Sequence, residues 1–148
     1  MQHRKIEFSA YEEVIAEIER LEKSGYDRVG QWNLGQVCHH LDYYFTGSLD
    51  GFKQMLPWII RVLLGKPMYW WLVRYGTRPG SKTAPQSVPP ETTEEKTAIA
   101  GAKESLRRLA TARTVHPSAL FGELSVEQWR ALHLGHAAHH LGFLIPKA

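Results

Sequence analysis

Apolar residues recur at helical spacing in four stretches of the chain, and two of these lie in its first third. The first predicted helix begins at Ser9, where Ser9-Ala10-Tyr11-Glu12 has the pattern of a capping box, and it ends near Ser24-Gly25. The second begins at Asn33, with Gln36 as the reciprocal cap, and ends at Asp50-Gly51. The apolar stripe of the first helix consists of Tyr11, Val14, Ile15, Ile18 and Leu21. The stripe of the second consists of Leu34, Val37, Cys38, Leu41, Phe45 and Leu49. Both helices therefore have one face to bury.

The other two long helices are predicted in the last third of the chain. One runs from about Glu91 to Thr111, and the other opens at Ser125-Val126-Glu127-Gln128, a third capping box. The apolar side of the former carries Ile99, Ala102, Leu106 and Leu109. Since four amphipathic helices occur without an alternating strand pattern or an internal repeat, we predict an all-α fold, a four-helix bundle in which residues 1–148 form a single domain.

The region between the second and third long helices has a different character. Met55–Val73 is the most apolar stretch, and it predicts one or two extra short helices that are buried or interfacial rather than a membrane span. Its interruptions are Pro57, Arg61, Gly65, Lys66 and Pro67. Residues 77–90 are rich in Pro, Gly and Ser, which predicts a loop long enough to be functional or mobile.

Composition narrows the classes of protein only a little. Among 148 residues, 43% are hydrophobic and 22% are charged, and the net charge is +3. Because no long basic run occurs, nucleic-acid binding is not predicted. Cys38 is the single cysteine, which fits a reducing compartment, and the N-terminal residues lack the apolar core of a signal peptide. We therefore expect a cytoplasmic protein.

The last helix places three histidines on the side that carries its apolar residues. With Trp129 at zero and about 100° per residue, His133 falls at roughly 40°, His136 at roughly 340° and His140 at roughly 20°. His139 lies at the margin of this face, at roughly 280°. Buried polar groups must be satisfied, and neutral imidazoles can be satisfied by a metal ion or by neighbouring side chains. Packing histidines are thus the alternative to a metal site.

The spacing of His136 and His140 lets both rings reach one point beside the helix. A third ligand is expected from a neighbouring helix, and the second helix offers His39 and His40 on opposite flanks of its apolar stripe. Periodicity does not choose between them. His133 is about 10 Å along the axis from His140, too far to share one ion with it. Inward Glu residues, which a di-iron site requires, are missing from this face.

Two further groups of residues are open to more than one interpretation. Asp42 could orient a histidine, or it could be a surface carboxylate. The tryptophans of the apolar stretch could line a substrate pocket or serve in packing; they are Trp58, Trp70 and Trp71. The roles of His39, His133 and His139 stay open, and no catalytic residue is assigned.

Two motifs resemble those of a known superfamily. Trp32–Leu41 resembles the second-helix motif of the DinB-like superfamily of four-helix bundles, and the C-terminal run from His116 to Pro146 is similar to the branch called domain of unknown function 1569. The resemblance implies that His40 joins His136 and His140 in holding one divalent ion, zinc or alternatively nickel, with an open coordination position. Relatives in the superfamily include thiol-dependent enzymes.

Two functional hypotheses follow from these patterns. The first is a metal-dependent enzyme, a thiol transferase or a hydrolase acting on a small molecule, whose substrate the sequence does not name. The second is a non-catalytic helical protein that forms a homodimer or binds a partner through Met55–Val73, with a structural or vestigial metal site.

Overall fold

The computed structural model describes residues 2–148, and most of these residues are helical. The helices are α1 (Tyr11–Ser24), α2 (Leu34–Asp50), α3 (Trp58–Tyr75), α4 (Glu95–Thr111) and α5 (Val126–Leu141). Two short strands, β1 (Tyr26–Arg28) and β2 (Leu144–Pro146), pair antiparallel with Tyr26 opposite Pro146. A single 3₁₀ turn, Pro85–Ser87, lies in the loop before α4. The predicted predominance of helix is confirmed, and the small sheet is an addition to it.

Helices α1, α2, α4 and α5 contribute to one hydrophobic core. Ile18, Leu41, Leu106 and Leu141 are fully buried members of it, one from each helix. The apolar stripes read from the sequence supply most of the other members, because residues three and four apart share one side of a helix. Helices α2 and α4 approach closely at Gly35, where an added Cβ would lie 2.8 Å from the backbone of α4. This close approach explains the glycine.

The predicted caps of α2 and α5 are confirmed. Asn33 accepts the backbone N–H of Gln36, whose side chain accepts the N–H of Asn33 in return. Ser125 and Gln128 form the same reciprocal pair at the start of α5. These local hydrogen bonds satisfy N–H groups that have no partner within the helix, so they fix where each helix begins.

The predicted starts of α1 and α4 are wrong by a few residues. At α1 the N-cap is Ala10 without a side-chain cap, and the Ser9 N–H donates to the carboxylate of Glu13 (2.6 Å) instead. Helix α4 begins at Glu95 rather than near Glu91, because the Glu94 carboxylate accepts the backbone N–H of Thr97. At α1, Glu13 thus takes the role that the pattern gave to Glu12, and at α4 the cap is a glutamate where the sequence pattern predicted no cap.

The apolar stretch forms one long helix rather than the predicted short ones. Helix α3 has 18 residues, includes Pro67, and buries only Gly65 and Tyr69. The Tyr69 hydroxyl donates to the Gln128 carbonyl (2.9 Å), and Gly65 packs against the backbone of Phe121. These tertiary contacts on either side of Pro67 offset the local cost of a proline within a helix. None of the helices among residues 2–148 combines the length and the apolar run needed to cross a bilayer.

The end of α5 is held by the N-terminal segment. The Arg4 guanidinium donates to the carbonyls of Leu141 (3.2 Å) and Leu144 (2.9 Å), and it forms an ion pair with Glu17 (2.7 Å). An added Cβ at Gly142 would lie 2.5 Å from the Arg4 carbonyl oxygen. The last turn of α5, which carries two of the histidines, is therefore fixed against α1 and the sheet.

Candidate metal centre

Three imidazoles from two helices converge at one point. His40 comes from α2, and His136 and His140 come from α5. The Nε2 atom of His136 lies 3.1 Å from Nε2 of His40 and 3.0 Å from Nε2 of His140. All three ligand atoms lie within 4.8 Å of one another. The structure thus brings together the three histidines that the sequence indicated, and they could hold a metal ion.

The ring of His40 is oriented by the loop before α4. Its Nδ1 lies 2.8 Å from the carbonyl oxygen of Ser87, in the 3₁₀ turn. A carbonyl can only accept, so Nδ1 carries the proton and Nε2 is left with a lone pair that faces the other two rings. A histidine that binds a metal through one nitrogen commonly donates from the other in this way. His40 is 1% exposed.

The sequence pattern does not indicate a role for Ser87, although it predicts that the loop containing this residue is long. Its side chain is fully buried, and the hydroxyl lies 2.9 Å from Thr83 Oγ1, 2.9 Å from the Ala84 carbonyl and 3.1 Å from the Tyr44 hydroxyl. These contacts hold the turn against α2. The length of the loop was the available signal, but a backbone carbonyl leaves no trace in a side-chain pattern.

Burial keeps the imidazoles of the cluster neutral. Loss of hydration, together with the smaller effect of the neighbouring imidazoles His40 and His139, lowers the pKa of His140 to about 2. Loss of hydration is also the main reason that the pKa of His136 lies well below its usual value and that the pKa of His40 is lowered. Near neutral pH each ring therefore has one N–H and one lone pair.

Hydrogen bonding within the cluster leaves an acceptor without a donor. The Nδ1–H of His40 donates to the Ser87 carbonyl, so Nε2 of the same ring can only accept. If His136 donates its Nε2–H, the hydrogen reaches either His40 or His140, and the other ring has no donor. If His140 donates its Nε2–H to His136, the Nε2 of His40 has no donor. Every arrangement of neutral rings leaves at least one Nε2 lone pair without a donor from within the cluster. A cation at the point of convergence would remove that deficit, so the residues present fit a metal ion.

Aromatic rings hold the histidines from the sides. Trp32 stacks on His140 with 5.5 Å between ring centroids and 21° between planes, and it also contacts His40. The ring of Tyr44 lies edge-on to both His40 and His136. Such packing restricts rotation of the imidazoles, so the three nitrogens are positioned before any ligand arrives.

A cleft of about 1480 Å³ leads from solvent to the cluster. All three histidines lie on its wall, together with Trp71 and Leu72 of α3 and residues 76–84 of the loop. Of the tryptophans in the apolar stretch, Trp71 therefore has the predicted pocket position. Trp58 and Trp70 do not line the cleft, and both are exposed.

The remaining candidate histidines have other surroundings. His39 is exposed, and it lies outside the cluster. His133 is buried and pairs with the Ser48 hydroxyl (2.8 Å), and it too lies outside the cluster. The backbone carbonyl of His139 accepts from Nε2 of His3 (2.8 Å). His133 thus has the surroundings expected of a packing histidine, which was the alternative interpretation of the histidine face.

Asp42 is not a surface carboxylate, which was one of its two interpretations. It is partly buried and lies beside Gly101 of α4, and its Oδ1 has no hydrogen-bond partner among the described residues. Burial raises the pKa of this carboxyl group. The orienting role that was considered for Asp42 belongs to the Ser87 carbonyl, which is bonded to His40.

Comparison with known proteins assigns the chain to a family. The sequence model of the family described as "Protein of unknown function (DUF1569)" matches residues 1–147. The chain belongs to this family. No curated protein and no solved structure matches the chain. The region that matches the DUF1569 model includes both α2 and α5, and therefore every residue of the histidine cluster.

Proposed function

We propose that His40, His136 and His140 bind one divalent metal ion, zinc or alternatively nickel, and that the site is the centre of an enzyme. The reaction would be a thiol transfer or the hydrolysis of a small molecule that enters through the cleft. We further propose that residues 1–148 are a single domain and that α1, α2, α4 and α5 form a four-helix bundle of the DinB-like type.

The observation that carries the proposal is the convergence of three neutral Nε2 atoms, of which at least one has no donor within the cluster. Three histidines and an open fourth position are a usual ligand set for catalytic zinc, whereas structural zinc is usually closed by four protein ligands. Within residues 2–148, no fourth His, Cys, Asp or Glu joins the cluster. The position of the cluster on the wall of a cleft also favours an open site over a structural one.

The chemistry divides between the ion and the chain. A bound divalent ion supplies Lewis acidity, which brings the pKa of a water or thiol toward neutrality. The Ser87 carbonyl fixes the tautomer of His40, and Trp32 fixes the plane of His140. The apolar side chains of α3 on the cleft wall limit the access of bulk water, and they favour substrates with an apolar portion.

The first test is metal analysis of untagged protein beside two variants. We expect about one equivalent of zinc or nickel in the protein, its loss in His136→Ala, and its retention in His39→Ala. The last variant is a matched control because it removes an exposed imidazole adjacent to His40. Absence of metal after purification, together with no binding of added zinc or nickel, would contradict the proposal.

A cobalt-substituted sample then separates the two reaction classes. Thiols that enter the open position would change the visible spectrum of the cobalt site, and His133→Phe should respond as the unaltered protein does. An unchanged spectrum across a range of thiols would exclude the thiol-transfer branch and leave hydrolysis.

A further inference from the structure

Helix α3 presents an unusually large apolar surface to solvent. Its contact with the rest of the protein is a narrow stripe through Gly65 and Tyr69. On the side away from this stripe, Leu63 is 66% exposed and Trp70 is 59% exposed. At the start of the helix, Trp58 is 66% exposed. Monomeric proteins rarely expose a contiguous patch of this kind unless it binds a partner or a membrane.

The charges in the segment of the chain that contains α3 have a single sign. Residues 51–90 carry six of the 18 Lys and Arg residues of the chain and none of its 15 Asp and Glu residues. The six are Lys53, Arg61, Lys66, Arg74, Arg78 and Lys82. Across residues 2–148, none of them forms an ion pair with a carboxylate. The rest of the chain has a small excess of acidic residues, so the positive charge is concentrated in the segment that contains α3.

We propose that α3 docks on the surface of an anionic lipid bilayer and lies in the plane of the interface. Tryptophan and tyrosine favour the headgroup region, and Lys and Arg next to apolar side chains reach the lipid phosphates while their stems stay in the apolar layer. Anionic lipid also attracts each basic residue near the surface. A second copy of the chain would bring two segments of the same charge together, so charge complementarity favours lipid over a homodimer through this surface.

The test is co-sedimentation with vesicles, and it does not depend on metal in the histidine cluster. We expect binding to vesicles that contain phosphatidylglycerol, little binding to vesicles of phosphatidylcholine alone, and weaker binding at high salt. The fluorescence of Trp70 and its neighbours should shift to shorter wavelength on binding, because indole leaves water.

Two double variants examine the apolar and the charged contributions separately. Leu63→Ser with Trp70→Ser should weaken binding more than about tenfold, since two large apolar side chains no longer enter the interface. Arg74→Gln with Lys82→Gln should weaken binding roughly thirtyfold at low salt, from the attraction of anionic lipid for two basic residues. Lys23→Gln with Arg113→Gln removes two exposed charges elsewhere, and it should bind as the unaltered protein does.

Three outcomes would overturn the proposal. The first is no binding to either vesicle by protein that is folded by circular dichroism. The second is equal binding to both lipids, or equal loss in the control variant, which would remove the argument from charge. The third is a concentration-dependent dimer in sedimentation experiments that Leu63→Ser with Trp70→Ser dissociates, with no lipid binding; α3 would then be an interface between two copies.

Discussion

Two turns of α5 bury histidines in the same helix and surround them differently. In the first, His133 stacks on Trp129 with 4.8 Å between centroids, and its Nε2 lies 2.8 Å from the Ser48 hydroxyl. In the second, Nε2 of His136 meets only the nitrogens of His40 and His140. Both regions are apolar, and in both burial lowers the pKa of the histidine.

The difference between these regions shows what distinguishes a packing histidine from a candidate ligand. Because the Ser48 hydroxyl donates to the Phe45 carbonyl, its oxygen is free to accept the Nε2–H of a neutral His133. Imidazoles that face one another cannot all be satisfied by their own protons, as the hydrogen bonds around His40 show. Burial alone therefore does not identify a metal site, and the identity of the neighbouring polar atom does.

The largest effect that would sharpen the comparison is expected from His133→Ala. Removal of a buried ring that stacks on Trp129 should lower the free energy of unfolding by about 3 kcal/mol, since a cavity is left in a packed region. Metal content should be unchanged. Urea unfolding measures the first effect and elemental analysis the second. The control is His39→Ala, which should change the free energy of unfolding by no more than about 0.5 kcal/mol and leave the metal content unchanged. Loss of metal in His133→Ala would show that the two regions form one site.

Acid should destabilise the metal-free protein, and the contribution of His133 to this effect has a definite sign. Burial lowers the pKa of His133 to about 3, whereas an unfolded histidine titrates near 6.5. Below pH 6.5 the unfolded chain takes up a proton that the folded state refuses, so stability falls as the pH falls, by about 1.4 kcal/mol per pH unit, until about pH 3. Above pH 6.5 this contribution is fully present.

His133→Phe isolates that contribution because it keeps a ring beside Trp129 and removes the titrating group. The Ser48 hydroxyl still donates to the Phe45 carbonyl, so no hydroxyl is left without a partner. Unfolding measured between pH 7 and pH 5 should show a shallower pH dependence in the variant, by about 1.4 kcal/mol per pH unit below 6.5. Parallel curves for both proteins would mean that His133 is hydrated or charged in the folded state.

The smallest effect is expected from Ser48→Ala. The substitution leaves the ring of His133 in place and removes the hydroxyl from its Nε2, which should lower the free energy of unfolding by about 1–2 kcal/mol. The metal content should again be unaffected, because Ser48 bonds to His133 and not to the cluster. A drop in metal affinity matching that of His136→Ala would contradict the separation of the two regions.

Local sequence determined much of this protein. Repeats of apolar residues at three and four positions gave α1, α2, α4 and α5 and most members of their shared core, because helical periodicity is a property of the chain itself. The caps at Asn33 and Ser125 were readable for the same reason, since all their partners lie within one turn. The i, i+4 pair of His136 and His140 was likewise fixed by helix geometry.

Only the tertiary structure decided the features that depend on distant segments. Wheel arithmetic placed His39 and His40 on opposite flanks of one stripe, and the packing of α2 against α5 buried His40 and left His39 exposed. The resemblance had implied the same choice. The Ser87 carbonyl reaches His40 from 47 residues away, and α3 continues through Pro67 because Gly65 and Tyr69 are held by contacts outside the helix. A sequence pattern encodes the face of an element, whereas long-range contacts determine which atoms meet there.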